Sequence, residues 1–253
     1  NALFIVISQS GKSPDLLASL RAAKESGALC VAIVNDTTSP VAALADFVLP
    51  MQAGVEKSVA ATKSYIASLL VLCDLLAHWQ SDDEFLAALQ SAPQALDLAA
   101  NLDWGQAIAS LSHATNMFVI GRGLTFGIAG EAALKLKETS SIHAEAFSAA
   151  EVRHGPMALV KAKFPVLMFV PMDATRTGFD DLIHDFARRN AHIFVASGDY
   201  QGAMNLPTMQ RLHPIISPIA QIQSFYSFAE EMSRARGFDP DAPPYLQKVT
   251  ETK

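Results

Sequence analysis

The chain has 253 residues, 50% hydrophobic and 17% charged, with a net charge of −6. That composition supports one large core or two smaller ones and carries no signature of disorder, collagen or coiled coil. The acidic balance, without any run of Lys and Arg, argues against a nucleic-acid surface, which depends on clustered cations to replace phosphate counterions; an anionic small substrate held by a few local donors stays open.

Strands and helices alternate along the chain. Ala2–Ser8 is a continuous apolar, β-branched run, and the leucines at 16, 17 and 20 with Gly27 as a stop predict a helix after it. "ALCVAIVN" and "DFVLP" are the next strands, followed by helical patterns over about 58–80 and 82–100. "NMFVIGRGLTFGIAGEAALKLKE" reads as strand, glycine turn and helix. After an irregular stretch, "FPVLMFVP" and "AHIFVAS" flank the helix "GFDDLIHDFARR", and the helix "SPIAQIQSFYSFAEEMSRARG" leads into a polar, proline-bearing tail. Fully apolar strands separated by helices imply α/β architecture, a parallel sheet covered on both faces in three αβα layers. The longest apolar stretch, Tyr65–Trp79, carries Asp74 and falls short of the roughly 20 residues of a membrane span, so no membrane contact is expected. Cys30 and Cys73 sit in apolar patterns, which suits a reducing cytoplasm and provides neither a disulfide framework nor metal-type spacing. His78, His113, His184, His192 and His213 have no ligand-like spacing and read as ordinary surface or core residues; no metal or cofactor is expected.

The chain also repeats itself. The segment from Leu3 to Asp36 and the segment from Val166 to Asp199 share one strand–turn–helix–strand plan without a gap, Ser8 aligning with Pro171 and Asp36 with Asp199. Two copies of one α/β domain are therefore expected, over 1–100 and 101–237, with 238–253 as a tail. In the second copy a strand–Gly-Arg-Gly–helix unit precedes the repeated segment. The first copy is accordingly expected to lack an N-terminal strand and helix.

The copies differ at one turn. Ser8-Gln9-Ser10-Gly11-Lys12-Ser13 in the first becomes Pro171-Met172-Asp173-Ala174-Thr175-Arg176 in the second. Ligands of parallel α/β sheets bind beyond the carboxyl ends of the strands, where helix N-termini present free N–H groups and the positive end of the macrodipole. A phosphate is stabilised there without a lysine. Ser8, Ser10 and Ser13 would add hydroxyl donors, and Gly11 would let the backbone approach. The competing reading is that Ser13 merely caps the helix before Pro14 and the other serines merely make turns.

"SQSGKSPDLLASL", "GVEKSVAATKSY", "GRGLTFGIAGEAALKLKETSSIHAEAFSAAEVRHGPMAL" and "DPDAPPYLQKVTETK" together resemble the sugar isomerase (SIS) family. The likeness is strongest to the isomerase half of glutamine–fructose-6-phosphate amidotransferase and to stand-alone isomerising glucosamine-6-phosphate deaminases. It implies two SIS subdomains and a C-terminal active-site tail. It makes Ser8, Gln9, Ser10 and Ser13 the phosphate loop and places Val59 and Ala61 along the sugar, with Ala61 standing where the synthase has a serine. Glu138 becomes the carboxylate that moves a proton between C1 and C2, with Lys135 one turn before it on the same helix face. His154 matches the ring-opening histidine that reaches the neighbouring subunit's site in a homodimer, and Lys248 the tail lysine that handles the ring oxygen or forms a Schiff base.

Those residue types suit the chemistry. Aldose–ketose interconversion needs a base that takes a proton α to a carbonyl or iminium and returns it to the adjacent carbon. Ring opening needs a group titrating near neutrality, and an ε-amine serves carbinolamine and Schiff-base steps. Taken from spacing alone, Glu131, Lys135 and Glu138 read rather as an exposed face of i,i+3 and i,i+4 ion pairs. The implied function is a cytoplasmic isomerase/deaminase converting glucosamine 6-phosphate to fructose 6-phosphate and ammonia, with no glutaminase domain. The alternatives are another ketose/aldose phosphate isomerase, a fructosamine-phosphate deglycase, or a non-catalytic sugar-phosphate sensor.

Overall fold

The computed structural model describes residues 2–244 and Leu246; Lys248 lies outside the described residues. The chain forms two compact units, the first running to Leu86 and the second over Ala87–Pro244.

The first unit is built on β1 (Leu3–Ser8), α1 (Pro14–Glu25), β2 (Leu29–Val34), α2 (Pro40–Leu44), β3 (Phe47–Pro50) and α3 (Lys63–Gln80); α4 (Asp83–Ala100) begins in it. Its strands are all parallel in the order β1-β2-β3, with Ser8 opposite Val34 at the carboxyl end. Alternation of side chains across a strand sends Val6, Cys30, Ala32 and Val34 to one face, where they bury Leu20 of α1 and Val41 of α2. Val31 and Ile33 point the other way, and α3 packs on β2. Both cysteines are buried and unpaired with each other.

The second unit adds α5 (Ile108–Leu111), β4 (Asn116–Gly121), α6 (Leu124–Ser140), β5 (His143–Ser148), β6 (Pro165–Phe169), α7 (Phe179–Ala187), β7 (His192–Ala196), β8 (Met204–Leu206) and α8 (Ile216–Ala235). Its parallel sheet runs β5-β4-β6-β7-β8. Phe118, Ile120, Val166 and Met168 face α7 and enclose its Phe179, Leu182, Ile183 and Phe186. The opposite face carries Phe169, whose ring meets Phe225 of α8 at 6.0 Å and Trp104 at 6.4 Å. Apolar residues on both faces explain why β4, β6 and β7 are continuous hydrophobic runs from their second residue on. Each large side chain fully buried this way stabilises the fold by roughly 1.5–3 kcal/mol.

The repeat is realised in three dimensions: β1–α1–β2 and β6–α7–β7 have the same order and parallel sense, and each continues into a further parallel strand. In the second unit β4 pairs on the other side of β6, whereas among the described residues β1 pairs with β2 alone.

Two strands differ from the sequence expectation. β5 falls in the stretch read as irregular, because its edge position leaves it polar and half exposed rather than apolar. β8 has three residues, too few to show a period. Helix α3 starts at Lys63, not near Ser58. The carboxylate of Glu56, only 7% exposed, accepts the N–H of Ser64 at 2.9 Å, that of Thr62 at 3.4 Å and the Ser64 hydroxyl at 2.9 Å, so it caps the helix from outside.

Candidate active site

In the first unit, the hydroxyl turn leaves the carboxyl end of β1 and enters α1. The turn is tied to its neighbour strand by the Gln9 carbonyl, which accepts the N–H groups of Asn35 and Asp36, both at 3.3 Å. Ser8 Oγ accepts the Gly11 N–H at 3.0 Å, and Ser10 Oγ takes a long bond of 3.4 Å from the Lys12 N–H. Gly11 has φ +61, and a Cβ there would collide with the Ser39 side chain, whose own Cβ would lie 2.6 Å away. Ser39 is itself held in place as the cap of α2, accepting the Ala42 N–H at 3.3 Å.

Ser13 occupies the N-cap of α1 with Pro14 at the first helical position, but its side chain makes no capping hydrogen bond. The reading of Ser13 as no more than a cap therefore loses its main support, since a working cap would accept an N–H of the first turn. Lys12 is turned aside, 3.2 Å from Asp36. The Thr38 hydroxyl above all, then Lys12, holds the Asp36 carboxyl below its ordinary range. The groups left to meet an anion are hydroxyls and backbone N–H groups at a helix N-terminus. Val59 and Ala61, both half-buried, lie between Glu56 and the start of α3 in the same unit.

In the second unit, the chemistry-bearing helix is α6. β4 runs into it through Gly121-Arg122-Gly123. A Cβ on Gly121 would collide with the Thr125 carbonyl and come 2.8 Å from Phe126 Cα, so only glycine lets the helix start this close to the strand. Gly123 adopts φ +56, and the buried Thr125 hydroxyl closes the turn by accepting the Arg122 N–H and donating to the Arg122 carbonyl, each at 3.0 Å. The far end of the helix is clamped by Arg236, which donates to the carbonyls of Ser140 at 2.6 Å, Ser112 at 2.6 Å and Ala114 at 2.9 Å.

Lys135 and Glu138 lie together on this helix as the spacing predicts, Nζ to Oε2 at 2.6 Å. They are not an exposed ion-pair face. The Lys135 side chain is 5% exposed, and its ammonium is shared with Glu131 at 3.4 Å, itself 9% exposed; Glu138 keeps 25%. Burial therefore separates two carboxylates that spacing alone could not tell apart: Glu138 is reachable and Glu131 is enclosed. Tyr226 of α8 donates its hydroxyl to Glu131 Oε1 at 2.8 Å, completing the chain Tyr226–Glu131–Lys135–Glu138. Tyr226 was not legible as part of a site, because its place in "SFYSF" reads as core packing, and its ring does contact Phe225.

Burial pushes the Glu131 carboxyl up from its ordinary value, against the opposing pull of Lys135 and the Tyr226 hydroxyl. A carboxyl raised in the folded state contributes stability below its unfolded value and loses that contribution as pH rises through the folded one. Glu131→Gln removes this contribution, so the stability of the variant minus that of the parent should increase with pH across the carboxylate range. Chemical denaturation at a series of pH values checks it; a difference that stays flat or falls means that Glu131 is not raised.

His154 is exposed in the turn before Gly155, its N–H donating to the Glu151 carbonyl at 2.8 Å. Among the described residues no group of three His, Cys, Asp or Glu side chains is placed to hold a metal ion, and no helix is long and apolar enough to cross a membrane.

Comparison with known proteins agrees with this architecture. The SIS domain family model matches residues 1–78 and 110–232. Glutamine–fructose-6-phosphate aminotransferase [isomerizing] of Zymomonas mobilis is 33% identical over 97% of this chain and 43% of its own length, so the chain spans less than half of the curated relatives it matches. Among solved structures, a protein of Silicibacter pomeroyi DSS-3 assigned as a phosphosugar isomerase superimposes with a TM-score of 0.90 at 40% identity, covering 95% of this chain and 73% of that one. The C-terminal domain of glucosamine-fructose-6-phosphate aminotransferase from Francisella tularensis gives 0.79 at 29% identity, with 95% and 73% covered. The family match covers most of both units and includes the serine turn and α6, and the chain belongs to the SIS domain family.

Proposed function

We propose that the chain is a phosphosugar isomerase, acting on glucosamine 6-phosphate to produce fructose 6-phosphate and ammonia. The observation that carries this reading is the reachable Glu138 carboxylate held 2.6 Å from a buried ammonium on a helix whose start is pinned by Gly121. A carboxylate so placed can take the C2 proton of the open-chain aldose-type imine or aldehyde and return it to C1. Lys135 fixes the position of the Glu138 carboxylate through their 2.6 Å bond, and its ammonium stabilises negative charge that develops on the sugar oxygen. Ser8, Ser10, Ser13 and the N–H groups of α1, with Gln9 beside them, hold the phosphate. Val59 and Ala61 line the sugar.

In the same reading His154 opens the sugar ring, serving the neighbouring subunit of a homodimer, and Lys248 attends the ring oxygen or the keto carbon. Ring opening and proton transfer yield the fructose imine, and addition of one water then releases one ammonia. The relatives named above, one an aminotransferase and one assigned as an isomerase, support the substrate class.

A plain ketose/aldose phosphate isomerase, or a fructosamine-phosphate deglycase, is the second reading. It is favoured by Ala61, which removes a sugar hydrogen bond the synthase makes. A non-catalytic sensor needs only the serine turn and gives no reason to bury Lys135 between two carboxylates.

The test is incubation of the full-length protein with glucosamine 6-phosphate, assaying ammonia and fructose 6-phosphate together. Equal amounts of both are expected. Turnover of another ketose phosphate without ammonia would overturn deamination and leave isomerisation, and no turnover of any phosphosugar would leave the sensor.

A further inference from the structure

A second collection of bases lies at the other end of the second unit's sheet. A cavity of about 730 Å³ opens there, lined by the first residues of four strands: Asn116 of β4, His143 of β5, Pro165 of β6 and His192 of β7. The Gly121-Arg122-Gly123 turn and the start of α6 are at the carboxyl end of the same sheet, so this cavity is separate from the chemistry described above.

Its chemistry is one-sided. Three imidazoles, of His113, His143 and His192, and two ammonium groups, of Lys161 and Lys163, face one carboxylate, that of Glu145. The chain has 7 histidines and a net charge of −6, so three histidines at one cavity make a local excess of base on an acidic protein. None of these six side chains makes a hydrogen bond or ion pair with another described residue. By contrast, seven cations elsewhere, Lys12, Lys24, Lys63, Lys135, Arg153, Arg188 and Arg234, stand within 4 Å of carboxylates, the distances running from 2.5 to 3.8 Å.

The cavity also has an apolar wall, where the rings of Phe118 and Phe164 meet edge to face at 4.8 Å. A concave apolar surface with a few convergent polar groups, of a volume within the roughly 300–1,000 Å³ of small-molecule sites, is what a ligand pocket presents. Spacing of the histidines along the chain could not reveal it, since they come together only where strands β5 and β7 begin on either side of β4 and β6.

We propose that this cavity binds a small polyanion, a molecule bearing at least two phosphate or carboxylate groups. Imidazole and ammonium N–H groups would donate to the anionic oxygens, and the phenylalanine wall would cover an apolar portion. Charge-assisted bonds of this kind are the stronger class of hydrogen bond.

Pyrophosphate and citrate are the probes, titrated into the full-length protein at low ionic strength while the histidine ring resonances are followed. Pyrophosphate should shift the His113, His143 and His192 signals, and should do so equally in a Ser10→Ala, Ser13→Ala variant, which separates this site from the proposed phosphate loop. Lys161→Gln with Lys163→Gln should weaken binding by about tenfold or more, given two lost charge-assisted bonds, with thermal unfolding unchanged because both lysines are exposed. Citrate binding as tightly as pyrophosphate would mean that charge alone is read, and weaker citrate binding would assign the site to phosphate. The proposal is overturned if neither anion moves these resonances at millimolar concentration, or if the shifts vanish in the serine variant and persist in the lysine variant.

Discussion

Glu138→Gln should lower phosphosugar turnover by roughly 10²–10⁴, the range that a positioned proton-transfer group contributes. The amide keeps the shape and one hydrogen-bond acceptor for Lys135 Nζ, 2.6 Å away in the parent, so α6 should stay folded. The proposed function assigns phosphate recognition to the serine turn and not to Glu138, so binding of the sugar phosphate, measured by calorimetry, should survive. The effect should therefore fall on kcat and not on KM. Glu131→Gln is the matched control: it alters a carboxylate that is 9% exposed and out of a substrate's reach, and should reduce the rate far less. Equal losses in the two variants, or full activity in Glu138→Gln, would remove Glu138 from the proton-transfer role and leave the ion-pair network as a structural feature alone.

The second large effect concerns the joint that places this helix. Gly121→Ala should destabilise the protein by about 3 kcal/mol or more, at the upper end for inserting a methyl into a packed site, because the added Cβ meets backbone and not a movable side chain. The Thr125 carbonyl carbon would lie 2.6 Å from it and Phe126 Cα 2.8 Å. In a chain of this size that loss lowers the melting temperature by roughly 6–12 °C. Gly130→Ala in the same helix has nothing within 4 Å of the new methyl and should stabilise by roughly 0.5–1 kcal/mol, because alanine loses less backbone freedom than glycine in a helix. Calorimetric scans of the two variants check both signs. Should Gly121→Ala melt with the parent, the start of α6 can retreat from β4 at little cost, and the geometry argued for Glu138 loses its foundation.

Much of the fold was legible because its signals are local. The runs "LFIVIS", "NMFVIG" and "HIFVA" each hold at least four consecutive apolar residues, the pattern of strands covered on both faces, and each became a parallel strand. Gly27 and Pro14 bracket α1 where helix stop and start signals put it, and Gly27 has φ +79. The repeat predicted that β6–α7–β7 would copy β1–α1–β2, and it does. What escaped were elements without local periodicity. β5 is an edge strand whose sequence "HAEAFS" alternates weakly, and α3 begins five residues late because Glu56, outside the helix, caps it.

By itself the sequence determined the α/β class, the duplication, the serine turn present in only one copy, and the i,i+3 pairing of Lys135 with Glu138. Periodicity and spacing are properties of neighbouring residues, so they can be read without coordinates. Tertiary structure alone decided which of two carboxylates is reachable. Glu131 and Glu138 both lie about one helical turn from Lys135, at i−4 and i+3, and it is on the Glu131 side that Tyr226, 95 residues away in sequence, closes in while Glu138 stays open. The same holds for the histidine cavity, whose members are scattered from 113 to 192 and meet only because the sheet orders its strands β5-β4-β6-β7. Burial and convergence are set by packing between distant segments, and a pattern of near neighbours carries no information about them.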